Sequence, residues 1–305
     1  MLTANDYYRI RFGGKVYRIS LNGGMSCPNR DGTLDTRGCI FCSRGGSGDF
    51  AASATLSVTE QLAQAKQKVA AKLPKNKDKF AGYLAYFQAF TNTYAPTDYL
   101  RRIFEEAIAD PEVVGLSIAT RPDCLSQECI SLLAALNKQK PIYIELGLQT
   151  IHASTAFFIR RGYSLDVYDD AIRRLHEAGI PVITHIILGL PKESPKDMLA
   201  TVQHVVTGGV HGIKLQLLHI LEDTDLAEYY RSAPLSEFAC MSMDSYFDVL
   251  TKILPLIPED TVIYRLTGDG PKRTLLAPLW SSDKKKVLNT LHKRLERSFP
   301  CNPKC

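Results

Sequence analysis

No stretch of this 305-residue chain stays apolar long enough to cross a membrane. The longest charge-free apolar run, Ala178 to Pro191, falls short of the ~20 residues that a spanning helix needs, and Pro181 and His185 interrupt it. The N-terminus, MLTANDYYRIRFGG, lacks the apolar core of a secretory signal. Both absences predict a cytoplasmic protein with no membrane partner. In that compartment the eight cysteines stay reduced, and thiols serve metals or chemistry more than disulfides. Internal repeats and low-complexity tracts are missing as well. With 20 Gly and 16 Pro there is too little of either for a collagen. The charge imbalance is small, +5 from 37 Lys and Arg against 32 Asp and Glu. It permits an RNA or phosphate partner without requiring one.

What is present is alternation. Strands are predicted at Val16–Leu21, Phe80–Gln88, Val113–Ala119, Pro141–Leu148, Pro181–Leu188, His211–His219 and Thr261–Leu266. Between them the spacing predicts helices at Thr59–Ala71, Thr97–Ala109, Ser126–Lys138, Leu165–Ala178, Ser194–Val206 and Phe238–Leu254, with a basic one at Ser282–Arg297. Thr59, Ser126 and Thr97 or Asp98 are candidate caps, and Gly179 is placed to stop a helix. A prior of ~150 residues per domain would give two domains. Six βα units argue instead for α/β architecture, a partial (β/α)6 TIM-like barrel with a C-terminal strand and helical extension. The expected division is a core of residues 1–235 and an extension, 236–305, that packs on the barrel and carries the basic helix. Active sites of such barrels lie at the C-terminal ends of the strands.

After the first strand comes CPNRDGTLDTRGCIFC, with Cys27, Cys39 and Cys42 spaced C-x11-C-x2-C in a polar loop rich in turn formers. A closed zinc site needs four ligands, and the next Cys and His, Cys124 and His152, lie far along the chain. An iron–sulfur cube held by three thiolates leaves one iron open for a ligand. Iron–sulfur, zinc and unrelated thiols are the three readings at this point. Cys124, Cys129 and Cys240 look like buried packing residues, and Cys301 and Cys305 look like frayed terminal thiols.

With Phe41 just before the last thiol, this loop resembles the hallmark of the radical S-adenosylmethionine (SAM) enzymes. The longer first gap is similar to that of the elongator catalytic subunit and its relatives. The resemblance implies a 4Fe–4S cluster on Cys27, Cys39 and Cys42, with SAM on the open iron. After the second strand, where the family holds the SAM amine on a glycine-rich turn, this chain has Gln88-Ala-Phe-Thr-Asn-Thr-Tyr94. Gln88, Thr91, Asn92 and Thr93 become side-chain candidates for that contact. Thr120-Arg-Pro-Asp123 resembles an elongator-type motif, with Ala119 where a Glu would stand. Gln149, in Glu145-Leu-Gly-Leu-Gln-Thr150, matches a ribose-binding Gln. Arg161, twelve residues on, matches an Arg that pairs with the SAM carboxylate, a task suited to the planar guanidinium fork. His185 precedes Ile-Ile-Leu-Gly-Leu-Pro191, another family mark beside the ribose site.

Period two puts Lys214 and Gln216 on one face of the sixth strand, costly inside a barrel unless they meet substrate or cofactor. Arg265 and Asp269, in Tyr264-Arg-Leu-Thr-Gly-Asp-Gly270, are candidates for the substrate mouth. As a whole the chain is similar to the YhcC/YtqA family. Its gram-positive branch is linked to tRNA wobble-uridine maturation, where a carboxymethylaminomethyl side chain becomes an aminomethyl one. The resemblance thus implies an enzyme in which a 5′-deoxyadenosyl radical abstracts hydrogen from a modified tRNA. It also implies a reductant such as flavodoxin or ferredoxin. A radical SAM enzyme of small molecules and a non-catalytic iron–sulfur redox sensor are the alternatives, and the SAM-pocket motifs speak against the sensor. Basic residues that could meet RNA recur at Lys72, Lys75, Lys77 and Lys79, at Lys272 and Arg273, and at Lys284–Lys286, Lys293, Arg294 and Arg297.

Overall fold

The computed structural model describes residues 1–299 apart from 47, 49, 50, 75, 77, 78, 236, 269 and 271. The expectations for Lys75, Lys77, Asp269, Cys301 and Cys305 therefore lie outside the described residues. In chain order the elements are β1 (Leu2–Thr3), α1 (Ala4–Phe12), β2 (Lys15–Leu21), α2 (Val58–Ala70), β3 (Phe80–Phe87), α3 (Thr97–Ala109), β4 (Val113–Thr120), α4 (Gln127–Asn137), β5 (Ile142–Gln149), α5 (Ala153–Phe158), α6 (Leu165–Glu177), β6 (Val182–Leu188), α7 (Pro195–Thr207), β7 (Gly212–Leu217), β8 (Ile220–Leu221), α8 (Asp225–Ser232), α9 (Met243–Ile253), β9 (Val262–Arg265), β10 (Leu275–Ala277) and α10 (Lys284–Ser298). Eight strands form one parallel sheet in the order β1-β9-β7-β6-β5-β4-β3-β2, curled into an open half-barrel. β8 and β10 pair separately and antiparallel.

The strands read as they do because both faces are covered. β4, VVGLSIAT, and β6, VITHIIL, are near-continuous apolar runs, the pattern of parallel strands under helices. The helices return one apolar stripe each. α6 buries Tyr168, Ala171, Ile172 and Leu175, at spacings of three, one and three. Ser194 opens α7 with a capping box to Asp197, and Pro195 follows at the first helical position.

Period-two alternation sorts the barrel interior into layers. At the N-terminal end, α1 lays Tyr8 against Leu84, Tyr143 and Ile183, with Tyr7 and Tyr264 beside them. Above this plug lies a polar layer of Arg18, Tyr86, Ser117, Glu145, His185 and Lys214. Two residues further along their strands come Ser20, Gln88, Ala119, Gly147 and Gln216, below the cysteine-bearing loop.

Several boundaries differ from the sequence reading. The predicted helix from Phe238 starts at Met243, capped by Ser242. Ser57, not Thr59, caps α2 through a capping box with Glu60, and Pro96 precedes α3 without a side-chain cap. α1 is an addition: ANDYYRIRF mixes aromatics and charges with no clear apolar stripe, and only Tyr8 is fully buried. The short α5 and α8 and the two-residue strands also carry too little periodicity to be legible. Near the C-terminus, β9 inserts between β1 and β7, while α9 packs on α7 and α10 on α9.

Candidate active site

The three thiols Cys27, Cys39 and Cys42 line one cavity of about 170 Å³ at the C-terminal ends of the strands. Gln88, Thr91, Gln149, Arg161 and His185 line it too, with Arg30, Tyr86, Arg121, Glu145 and Tyr163. A larger hollow of about 710 Å³ lies outside the loop, among Asn29, Leu34, Arg37, Phe157 and Arg160. It touches none of the thiols, so the chemistry belongs to the smaller one.

Local turns shape the cysteine loop. Arg30 N–H and Asp31 N–H both donate to the Cys27 carbonyl, at 2.7 and 3.2 Å, and Cys42 N–H donates to that of Cys39 at 3.0 Å. The Arg30 guanidinium ties the far side by donating to the carbonyls of Cys42 and Ser43 at 2.9 and 2.8 Å. Asn29 is 1% exposed and its amide donates to the Arg160 carbonyl at 2.7 Å, joining the loop to the end of α5. A Cβ on Gly46 would come within 2.3 Å of the Phe90 ring, so this glycine lets the loop lie against the β3 end.

None of the three is in a disulfide, and burial together with neighbouring Cys42 pushes the Cys39 thiol up to about 12. Gathering three thiolates here is unfavourable unless a cationic group compensates them. Among the described residues no three His, Cys, Asp or Glu side chains close around a single metal ion. Three thiols on one cavity wall suit the larger span of an iron–sulfur cube.

The end of β5 bends to serve the cavity. The pairing register slips between Gly147 and Gln149, and Gln149 adopts a left-handed φ of 64°. Its side chain folds back until the amide nitrogen would lie 2.6 Å from a Cβ on Gly147. A strained non-glycine residue beside a cleft is a mark of a functional position.

Arg161 departs from its expected geometry. It is 2% exposed, and its guanidinium donates to the carbonyls of Leu148 (3.0 Å), Thr150 (2.6 Å) and Tyr163 (3.0 and 2.9 Å). Four of the five N–H groups are used, so no two-pronged grip on a carboxylate is open in this arrangement. One Nη2 hydrogen remains. Arg160 is no free surface charge either, since it pairs with Asp225 at 2.5 Å. Asn92 and Thr93 also differ from the expectation. Both are buried and neither lines the cavity. Asn92 donates to the Ala119 carbonyl at 2.9 Å, and the Thr93 hydroxyl meets Thr120 at 2.5 Å and the Cys124 carbonyl at 2.6 Å. They lock the loop after β3 onto β4. Gln88 and Thr91 remain on the cavity wall, with the Gln88 side-chain oxygen accepting from Ser20 at 2.8 Å.

Beneath them a buried network centres on Glu145, which sequence reasoning passed over. Arg18 and Lys214 both pair with its carboxylate, Ser117 donates to it, and His185 Nε2 lies 2.7 Å away. Burial, then Lys214, Arg18 and Arg265, hold His185 well below the ordinary imidazole range, so it is neutral. Its partners assign the tautomer: Nε2–H donates to Glu145, and Nδ1 accepts from the Gln216 amide at 3.3 Å. Arg265, exposed at the end of β9, donates to the other end of Gln216 at 3.5 Å. The available signal was an acid in mid-strand, a costly residue to bury alone.

The radical SAM superfamily model matches residues 36–205, and the model of the radical SAM C-terminal domain matches 210–297. YtqA of Bacillus subtilis is 43% identical over 96% of this chain and 89% of its own. YhcC of Escherichia coli is 36% identical over 90% of this chain and 85% of its own. Among solved structures, the archaeal Methanocaldococcus infernus Elp3 superposes with a TM-score of 0.68 at 17% identity, covering 93% of this chain and 63% of that one. That likeness concerns the fold alone.

Proposed function

Because this chain belongs to the radical SAM superfamily, among the relatives of YtqA and YhcC, we propose that it is a tRNA-modifying enzyme that removes the carboxymethyl part of a wobble-uridine side chain. One observation supports the site above all others. Cys27, Cys39 and Cys42, none of them in a disulfide, share a cavity with Gln88, Thr91, Gln149, Arg161 and His185, residues brought together from distant parts of the chain. When bound, a 4Fe–4S cluster and SAM supply one-electron chemistry that abstracts hydrogen from an unactivated carbon.

The chain's own residues do the positioning. Cys27, Cys39 and Cys42 hold the cluster through thiolates. Gln149, on its bulged strand end, offers an amide to the ribose of SAM, and Gln88 and Thr91 offer oxygens to its amine. Arg161 contributes its one remaining N–H. The barrel below is closed by the tyrosine plug, which excludes water from the reacting atoms. On the substrate, the methylene beside the carboxylate loses a hydrogen atom and then an electron, taken up by a one-electron carrier such as flavodoxin or ferredoxin, to give an iminium, which water hydrolyses to the amine and glyoxylate. In this reading residues 236–305 form an extension bearing the RNA-facing basic helix, and a flavodoxin or ferredoxin supplies the electron.

The test has two stages. Anaerobically reconstituted protein with SAM and a reductant is assayed for 5′-deoxyadenosine and methionine. Nucleosides of tRNA from a deletion strain are then profiled for carboxymethylaminomethyluridine in place of the aminomethyl form. SAM cleavage with unchanged tRNA profiles would favour a small-molecule substrate. Absence of both would remove the reading.

A further inference from the structure

In the middle layer of the barrel the charges do not match. Lys214 is 3% exposed, on β7, and donates to Glu145. Arg18, on β2, pairs with the same carboxylate and lies 3.7 Å from the centroid of the Tyr86 ring. Arg265, on β9, reaches over them to Gln216. Among the described residues Glu145 is the one carboxylate in ion-pair contact with this group. The other groups facing Lys214 and Arg18 are neutral or aromatic: His185, Tyr86, Ser117 and, beneath, Tyr8. Two cationic side chains, Arg18 and Lys214, thus share one acid, with Arg265 close above them.

Burying an uncompensated cation costs several kcal/mol unless it loses its proton or gains an anion. Arginine does not lose its proton, so Lys214 carries the strain, and burial with Arg18 and Arg265 depresses it well below the usual ammonium range. A second sign points to a missing partner: the Nε–H of Arg18 is buried and has none. The layer is also reachable. The cavity descends to Tyr86, Glu145 and His185, and the Arg18 side chain keeps 27% exposure in the open half-barrel.

We infer that Lys214 and Arg18, with Arg265 above them, form a subsite for an anionic group of the substrate, a carboxylate. The SAM carboxylate is not that group. Arg18 lies three residues before the end of β2, about 10 Å of strand below the cysteine loop. A carboxylate held at that loop does not reach it. The inference rests on the proposed chemistry, because it assigns this anion to the substrate that enters the barrel. It then names a specificity device. A substrate side chain ending in a carboxylate is drawn down into the barrel, and the product, having lost that group, no longer compensates the layer and is released.

The probe is acetate, with acetamide as its neutral isostere, on the full-length protein. Binding is read by relaxation of 13C-labelled acetate and by the heat of binding. Acetate is expected to bind saturably, and acetamide is not. Lys214→Met should weaken acetate about tenfold or more. Glu145→Gln removes the competing carboxylate while keeping its shape, so it should tighten acetate by about fivefold or more. A purely structural ion pair predicts the opposite for Glu145→Gln, with a loosened barrel and weaker binding. No preference for acetate over acetamide, or weaker binding in Glu145→Gln, overturns the subsite. A second arm compares an anticodon stem-loop bearing carboxymethylaminomethyluridine with its methyl ester. If acetate binds as described but the two RNAs bind alike, the subsite stands and the wobble-uridine reading falls.

Discussion

Arg161 is 2% exposed and points four N–H groups at the carbonyls of Leu148, Thr150 and Tyr163. Those acceptors lie where β5 ends and where the chain leaves α5, so the side chain holds the left-handed Gln149 in place. Arg161→Ala should therefore lower stability by about 2–4 kcal/mol even without SAM, because it strands buried carbonyls. Thermal denaturation of the apoprotein measures this. Weakened SAM binding with an unchanged melting temperature would instead show that the fork opens for ligand. His211 offers a second test at this scale. It meets the Tyr264 hydroxyl at 3.0 Å and, by burial, its imidazole is pushed down to about 4. Between its ordinary range near 6.5 and 4, the unfolded chain binds the proton that the folded chain refuses. Stability should accordingly fall as pH drops from 6.5 to 4, by about 3 kcal/mol at most from this group. His185, depressed in the same direction, adds to the loss. Urea titrations of wild type and His211→Gln across that range should show a shallower decline in the variant.

Two elements carry the cavity, the cysteine loop and the end of β5. Cys27→Ala, Cys39→Ala and Cys42→Ala should each abolish cluster assembly, read as iron and sulfide per chain after anaerobic reconstitution. Cys240→Ala should retain it, since that thiol packs in the apolar group around Phe238 and Leu226. Bound zinc without iron in the wild type would contradict the assignment. On β5, the Gln149 amide occupies the space that a Gly147 side chain would fill, and a flexible amide moves cheaply. Gly147→Ala should leave the fold intact but weaken SAM by about tenfold, the cost of one displaced hydrogen bond. Calorimetric SAM titration decides this, and an unaltered affinity would separate Gln149 from the ribose.

Across the whole molecule, the basic groups are not equivalent. α10 buries Val287, Leu291 and Leu295 and turns Lys286, Lys293 and Arg297 outward. Arg294, another basic residue the sequence offered to RNA, pairs instead with Asp248 and Asp244 of α9. Lys272 and Arg273 are exposed near the end of β9. If RNA phosphates meet these surfaces, each lost contact should flatten the salt dependence of tRNA binding by about one unit of slope or slightly less. The comparison is wild type against Lys272→Ala/Arg273→Ala and Lys286→Ala/Lys293→Ala, with Arg294→Ala expected to change stability more than slope. Unchanged slopes in both double variants would remove these surfaces from the RNA interface.

Much of this architecture was written locally. Alternating apolar runs and helical stripes produce βα units whatever their partners, and Cys27, Cys39 and Cys42 are joined by one loop whose turn formers act within a few residues. Gly179 shows the same locality: it ends α6 with a left-handed φ of 68°, as its place in the sequence predicts. Charge partners were not written that way. Glu145 and Lys214 are 69 residues apart, and which cations meet an acid depends on the curl of the sheet and the stagger between strands. The same holds for Arg161, whose motif position suggested a ligand grip. Only the packed ends of β5 and α5 decided which carbonyls its fork would meet, because hydrogen-bond partners are chosen by distances that folding alone creates.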